Sequence, residues 1–172
     1  MKKLKILLFI IFGLTAITGF SQEKFFDGVG DTGAHTVVEL AESDERFSRF
    51  LSLLKASGVD TSIEYTEGYT IFMPTNEAFG EMEIEKLNKL SEPDNQIKLI
   101  NFVRNYILPT KVNHYEFEDS QVIDFEGDQS FKVSTTGETV YIGGAQIIQS
   151  DVEAEDGIIH VINKLVTPAS TF

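Results

Sequence analysis

The sequence contains no cysteine and no tryptophan among its 172 residues. Without a thiol there is no disulfide, no thiolate metal ligand, no cysteine nucleophile and no cysteine-linked lipid, so a buried core alone must hold the fold. Histidine is scarce: His35, His114 and His160 are the whole set, and neither of the first two stands at metal-site spacing from His160. Basic residues number 14 against 27 acidic ones, a formal net charge of −13. Such a surface repels nucleic acid and anionic membranes and tolerates cationic or divalent-metal partners. The chain also lacks G-x-S-x-G, H-E-x-x-H and a phosphate-cradling P-loop. No catalytic, cofactor-binding or metal-binding residue is therefore assigned, and the chain is read as a non-enzyme.

Long apolar runs are missing except at the start. Lys2, Lys3 and Lys5 lead into a run from Ile6 to Ile17 broken by Gly13, and Gly19 and Ser21 are the small residues that follow. This is the pattern of a secretory signal peptide over residues 1–21, cleaved after Ser21. The run is short for a membrane span of about 20 residues. Cleavage removes three basic residues and no acidic one, leaving a net charge of −16. The expectation is a soluble protein, secreted, extracellular or periplasmic, with no membrane span after cleavage. Residues 22–34 hold Gly28, Gly30 and Gly33 with little periodicity and are predicted to be a mobile segment. One domain over 35–169 and a short tail, 170–172, complete the division.

Within the domain the period changes once. Thr36 and Glu39 fit a capping box, Ser43 and Asp44 suit a second cap, and Phe47, Phe50, Leu51 and Leu54 recur at helical spacing before Gly58. Val59 to Gly68 is predicted to be a polar connection. Ile84, Leu87 and Leu90 mark a short helix, Ser91 and Asp94 a further cap, and Leu99, Phe102, Val103 and Tyr106 another helical stripe ended by Pro109. From Val122 onward apolar residues alternate between turn signals at Gly127, Gly137 and Gly143–Gly144, which predicts an antiparallel meander. Helices first and strands later make the class α+β.

Two stretches organise the rest. Tyr69 to Phe79, YTIFMPTNEAF, reads as a buried strand stopped by Pro74, with Thr75 or Asn76 capping a short helical turn. Asp151 to Pro168, DVEAEDGIIHVINKLVTP, contains a strand apolar on both faces in which His160 is the single polar residue. His160 is predicted to be a neutral core histidine held by one hydrogen bond to a distant part of the chain. Acidic clusters at 116–119, 124–128 and 151–156 lack calcium-loop spacing. They leave a divalent-cation-dependent adhesin as an alternative function, with a hydrolase less favoured.

Three segments together resemble the fasciclin (FAS1) family. Tyr69 to Phe79 is similar to the family segment TVFAPTNEAF, Tyr106 to Val112 to YHVLPGKV, and Asp151 to Pro168 to DI-x-A-x-NGVIHVID-x-VL-x-P. Asn105 and Tyr106 stand where the family often has tyrosine and histidine, Thr110 replaces a common glycine, and Asp156 replaces the usual asparagine. The resemblance implies a wedge of two β-sheets with helices packed along one side. On it, Phe72, Pro74, Thr75, Asn76, Phe79, Pro109, Gly157 and His160 are structural motif residues. It further implies an extracellular adhesion or interaction module that binds a protein or polysaccharide, with homophilic contacts possible. Asp151 and Val152 occupy the acid–aliphatic position tied to partner binding in animal members. With Asn105 and Tyr106 they form the candidate partner-binding set.

Overall fold

A computed structural model describes residues 24–63, 68–82, 84–127 and 129–169. The segment read as a signal peptide and the tail 170–172 lie outside the described residues. Thr36 caps α1 (Val37–Ser43): its hydroxyl accepts the Glu39 amide at 3.2 Å while the Glu39 carboxylate accepts the Thr36 amide at 3.0 Å. Asp44 caps a 3-10 turn, Glu45–Phe47, which runs into α2 (Ser48–Ser57), and Gly58 stops that helix at φ 72°. The predicted polar connection instead begins with one more helical turn, α3 (Val59–Ile63), whose end residues Val59 and Ile63 are both buried. Next come β1 (Tyr69–Pro74), α4 (Ile84–Leu90), α5 (Gln96–Arg104) and β2 (Ile107–Leu108). The cap expected at Ser91 is not formed. Pro93 opens a 3-10 turn behind Glu92, and Asn95 then leads into α5.

The meander is as its alternation predicts: β3 (Val122–Asp124), β4 (Ser130–Thr136), β5 (Thr139–Ile142), β6 (Ala145–Glu153) and β7 (Gly157–Ile162). The strands form one ladder in the order β2-β1-β7-β6-β5-β4-β3, antiparallel throughout except for β1 against β7, which are parallel. The two sheets implied by the family resemblance are thus the two ends of one hydrogen-bonded order, joined through the long strand β6. Every residue of β1 and β7 is buried, as expected for a central pair covered on both faces.

Motif side chains tie the helices to the sheet. Asn76 does not cap its own turn. Its Oδ1 accepts the Arg49 amide at 3.0 Å at the start of α2, and its Nδ2 donates to the Glu45 carbonyl at 2.8 Å. Thr75 supplies the local bond instead, accepting the Ala78 amide at 3.4 Å. Asp156 acts similarly at α1, accepting the Val37 amide at 2.8 Å and the Tyr69 hydroxyl at 2.9 Å. A carboxylate suits the positive end of a helix, which gives the asparagine-to-aspartate departure a physical basis. Phe72, fully buried, packs on the rings of Phe117, Phe125 and His160 at 5.9, 5.3 and 5.4 Å. Phe79 is buried, whereas Pro109 is exposed just beyond β2.

The segment predicted to be a mobile approach is seated on the domain from Lys24 onward. Phe26 is 4% exposed and stacks on Phe47 with ring centroids 5.0 Å apart. Two adjacent aromatics can bury a large area without any periodicity to announce it.

Candidate interaction site at the bulged strand

β6 does not pair evenly with β7. The register shifts twice, between Ile147 and Gln149 and again between Gln149 and Val152. Bulges of this kind re-aim side chains and bend a strand. Asp151 lies at the second shift with φ 56°, a left-handed conformation uncommon for a residue other than glycine.

Two contacts hold Asp151 in that conformation. Its amide donates to His160 Nδ1 at 3.3 Å, and its Oδ1 accepts the His114 amide at 2.7 Å. His160 Nε2 in turn bonds the Val112 carbonyl at 2.9 Å. The partners dictate the tautomer: the carbonyl requires a donor at Nε2 and the amide requires an acceptor at Nδ1. His160 is therefore neutral and bridges β7, the 112–114 segment and the bulge. Burial pushes its pKa below the usual histidine range. The Val112 carbonyl and the Asp151 carboxylate oppose that shift, and His114 adds to it. The expected bond to a distant part of the chain is the one to Val112, and the Asp151 amide adds a second from nine residues away.

Clefts open on both sides of the bulge, sharing Ile148, Gln149 and Ser150. One, of about 640 Å³, is lined by His114, Tyr115, Asp119 and Glu138. The other, of about 1080 Å³, lies between Asp151 and the segment carrying Phe25, Asp27 and Asp31. Tyr115 is 81% exposed beside the first. A capping box between Asn113 and Glu116 fixes the turn that carries it.

Of the four candidate partner-binding residues, Asp151 alone is exposed. Val152 is 8% exposed and Tyr106 1%, so both belong to the core. Tyr106 packs edge-on against Phe50 at 5.3 Å. Burial pushes its hydroxyl pKa up, partly offset by a hydrogen bond with the Val166 backbone. Asn105 is half-buried and ends α5, its Nδ2 donating to Gln129 at 3.1 Å. The structure gives Asn105 and Asp151 separate neighbours and does not assemble the four into one surface. What sequence reasoning missed is His114, Tyr115 and Gln149. The signal available was the polar run Gln149-Ser150-Asp151, where the two-residue alternation of β6 breaks down.

Among the described residues no group of three acidic or histidine side chains converges in a way that could hold a metal ion. No hydrogen bond joins a histidine ring to a serine or threonine hydroxyl among them. No helix of the described residues is long and apolar enough to cross a membrane.

Comparison with known proteins places the chain in a family. The Fasciclin domain family model matches residues 45–168. The chain is 30% identical to protein sll1483 of Synechocystis sp. over 92% of its own length and 96% of that protein's. It is also 30% identical to human periostin, over 77% of this chain but only 16% of periostin. Among solved structures, a FAS1 domain pair from the insect cell adhesion molecule Fasciclin I superposes with a TM-score of 0.66 at 20% identity, covering 78% of this chain and 51% of that one.

Proposed function

We propose that this chain, which belongs to the fasciclin domain family, is an exported, non-catalytic interaction module that engages a protein or polysaccharide at the cell surface or envelope through the corner around Asp151. The observation that carries the reading is the exposed Asp151 carboxylate on a bulge whose left-handed backbone is held by His160 and His114. A site pre-organised in this way loses little conformational entropy when a partner arrives. The flanking chemistry fits the same reading. The exposed Tyr115 ring offers a flat, amphipathic contact, and Asp119, Glu138, Asp27 and Asp31 supply acceptors for hydroxyl-rich or cationic surfaces. Export rests on the residue 1–21 pattern, with Gln22 as the first mature residue.

The test is retention on a coated surface. Wells carrying the mature protein or its Asp151→Asn variant, which keeps the Oδ1 acceptor for the His114 amide and tolerates the left-handed backbone, are challenged with cells of the producing organism and with purified cell-wall polysaccharide. The variant is expected to retain at least about tenfold less, the scale of a hot-spot loss, at a melting temperature near the parent's. Equal retention by both proteins removes Asp151 as the contact.

A further inference from the structure

Residues 24–27 are held as a bound peptide is held, by side chains of the domain body rather than by a strand. Phe26 stacks on Phe47 at 5.0 Å with 16° between ring planes, and Phe25 packs on the same ring at 5.3 Å. The Arg46 guanidinium lies 4.3 Å from the centre of the Phe25 ring, a cation–π contact. The Gln149 side chain grips the Phe25 backbone twice. Its Oε1 accepts the Phe25 amide at 2.8 Å and its Nε2 donates to the Phe25 carbonyl at 3.4 Å. Asp44 accepts the Phe26 amide at 3.3 Å, and Arg46 donates to the Lys24 carbonyl at 3.3 Å. The groove is built independently of what it holds, since Arg46 Nε and Asp44 Oδ1 are bonded to each other at 2.8 Å within the 3-10 turn that precedes α2.

The link from this anchor to the domain touches the body chiefly at Val29, which packs partly buried against the core. Asp27, Gly28 and Gly30 are exposed, and a Cβ added at either glycine would meet nothing within 4 Å. A backbone hydrogen bond to the body follows at His35, whose carbonyl accepts the Glu155 amide at 2.8 Å. The arm is thus a ligand on a short glycine-bearing tether.

We propose that this groove is an exchange site between copies of the chain, in which the Lys24-Phe25-Phe26 arm of one molecule seats on Asp44, Arg46, Phe47 and Gln149 of another. A second copy is the partner certain to carry the matching segment, and exchange preserves each contact described above, so it requires no new interface. Within one molecule a short flexible tether acts as an effective concentration of the order of millimolar, which keeps the arm at home in dilute solution. Where copies are crowded to that level, seating in a neighbour competes. Acidic bodies that repel face to face can still be linked, because the segment from the anchor to α1 spans up to roughly 30 Å when extended. Reciprocal exchange closes a pair, whereas exchange passed from one molecule to the next gives an open line.

The absence of native cysteine makes the test clean. Asp27 and Ser43, both exposed, line one small cleft between the arm and the body. Asp27→Cys and Ser43→Cys are made singly and together in the mature chain, and a short bismaleimide is added. The double variant is expected to link within one molecule, reporting the seated arm. A mixture of the single variants is expected to give a linked heterodimer whose yield climbs with protein concentration toward the millimolar range. That yield should drop at least tenfold when the Asp27→Cys copy also carries Phe25→Ala and Phe26→Ala. A heterodimer yield no higher than in this arm-disabled control overturns the proposal, as does a double variant that fails to link internally. The yield is read with purified protein alone and the retention of cells and polysaccharide without cross-linker, so failure of exchange and failure of the Asp151 site are scored in separate assays.

Discussion

Phe72 concentrates the packing of the molecule in one side chain. It lies fully buried at the centre of β1, touching Phe117, Phe125 and His160 from three other segments. Phe72→Ala is expected to cost about 3–5 kcal/mol, from lost transfer free energy and the cavity left behind, measured by denaturant titration. Against a total of about 5–15 kcal/mol for a domain, that is severe. His160 contributes differently, through polarity. Its folded pKa is lowered, so the unfolded chain binds the proton more readily. The stability it provides is complete above pH ~6.5, falls as pH drops through that value, and stops falling below the folded pKa. A melting-temperature profile from pH 8 to pH 5 should show this decline, and His160→Ala should flatten it while costing about 1–3 kcal/mol at neutral pH. Protonation also places a second donor against the Asp151 amide, so mild acid is expected to loosen the bulge before it unfolds the domain.

At the level of elements, the parallel pairing of β1 with β7 is the joint on which both ends of the ladder depend. Its first register pair is Tyr69 with Gly157, where an added Cβ would stand 2.8 Å from the Tyr69 carbonyl oxygen. Gly157→Ala is therefore expected to destabilise by about 1–3 kcal/mol, the usual cost of overpacking, read from the shift in denaturation midpoint. The burial of both strands was legible from their unbroken apolar runs, and the helix ends were legible from Thr36, Glu39 and Gly58, whose roles are set by neighbours in sequence. That β1 lies parallel to β7 was not legible, because each run states that it is covered without stating by what. α3 escaped notice because one turn is too short to display a period. At the site, the burial of His160 follows from Ile158 and Ile162 beside it. Its bond to Asp151 depends on two register shifts in β6 that exist only once the strand is paired.

For the whole molecule, the formal net charge is −13 with no cysteine to form a disulfide, and the proposed cleavage after Ser21 would take the charge to −16. Intact-mass measurement of the exported protein is expected to give a chain beginning at Gln22, and a mass retaining Met1 to Ser21 would contradict the assigned cleavage.

An inner strand of the ladder, β7, is the last of the described strands in the chain. β7 separates β1 from β6, and its partner β1 is made far earlier, so the pairing with the longest sequence separation is also the one that closes the sheet. Such contacts delay folding until nearly the whole polypeptide is available. A nascent chain emerging from the ribosome or a translocation channel therefore lacks a completed sheet until Ile162 is through, and remains threadable up to that point. For the same reason, a premature stop before Gly157 does not produce a shortened domain. It leaves β1 and β6 as unpaired edges on either side of a missing inner strand, and such edges recruit strands from other molecules.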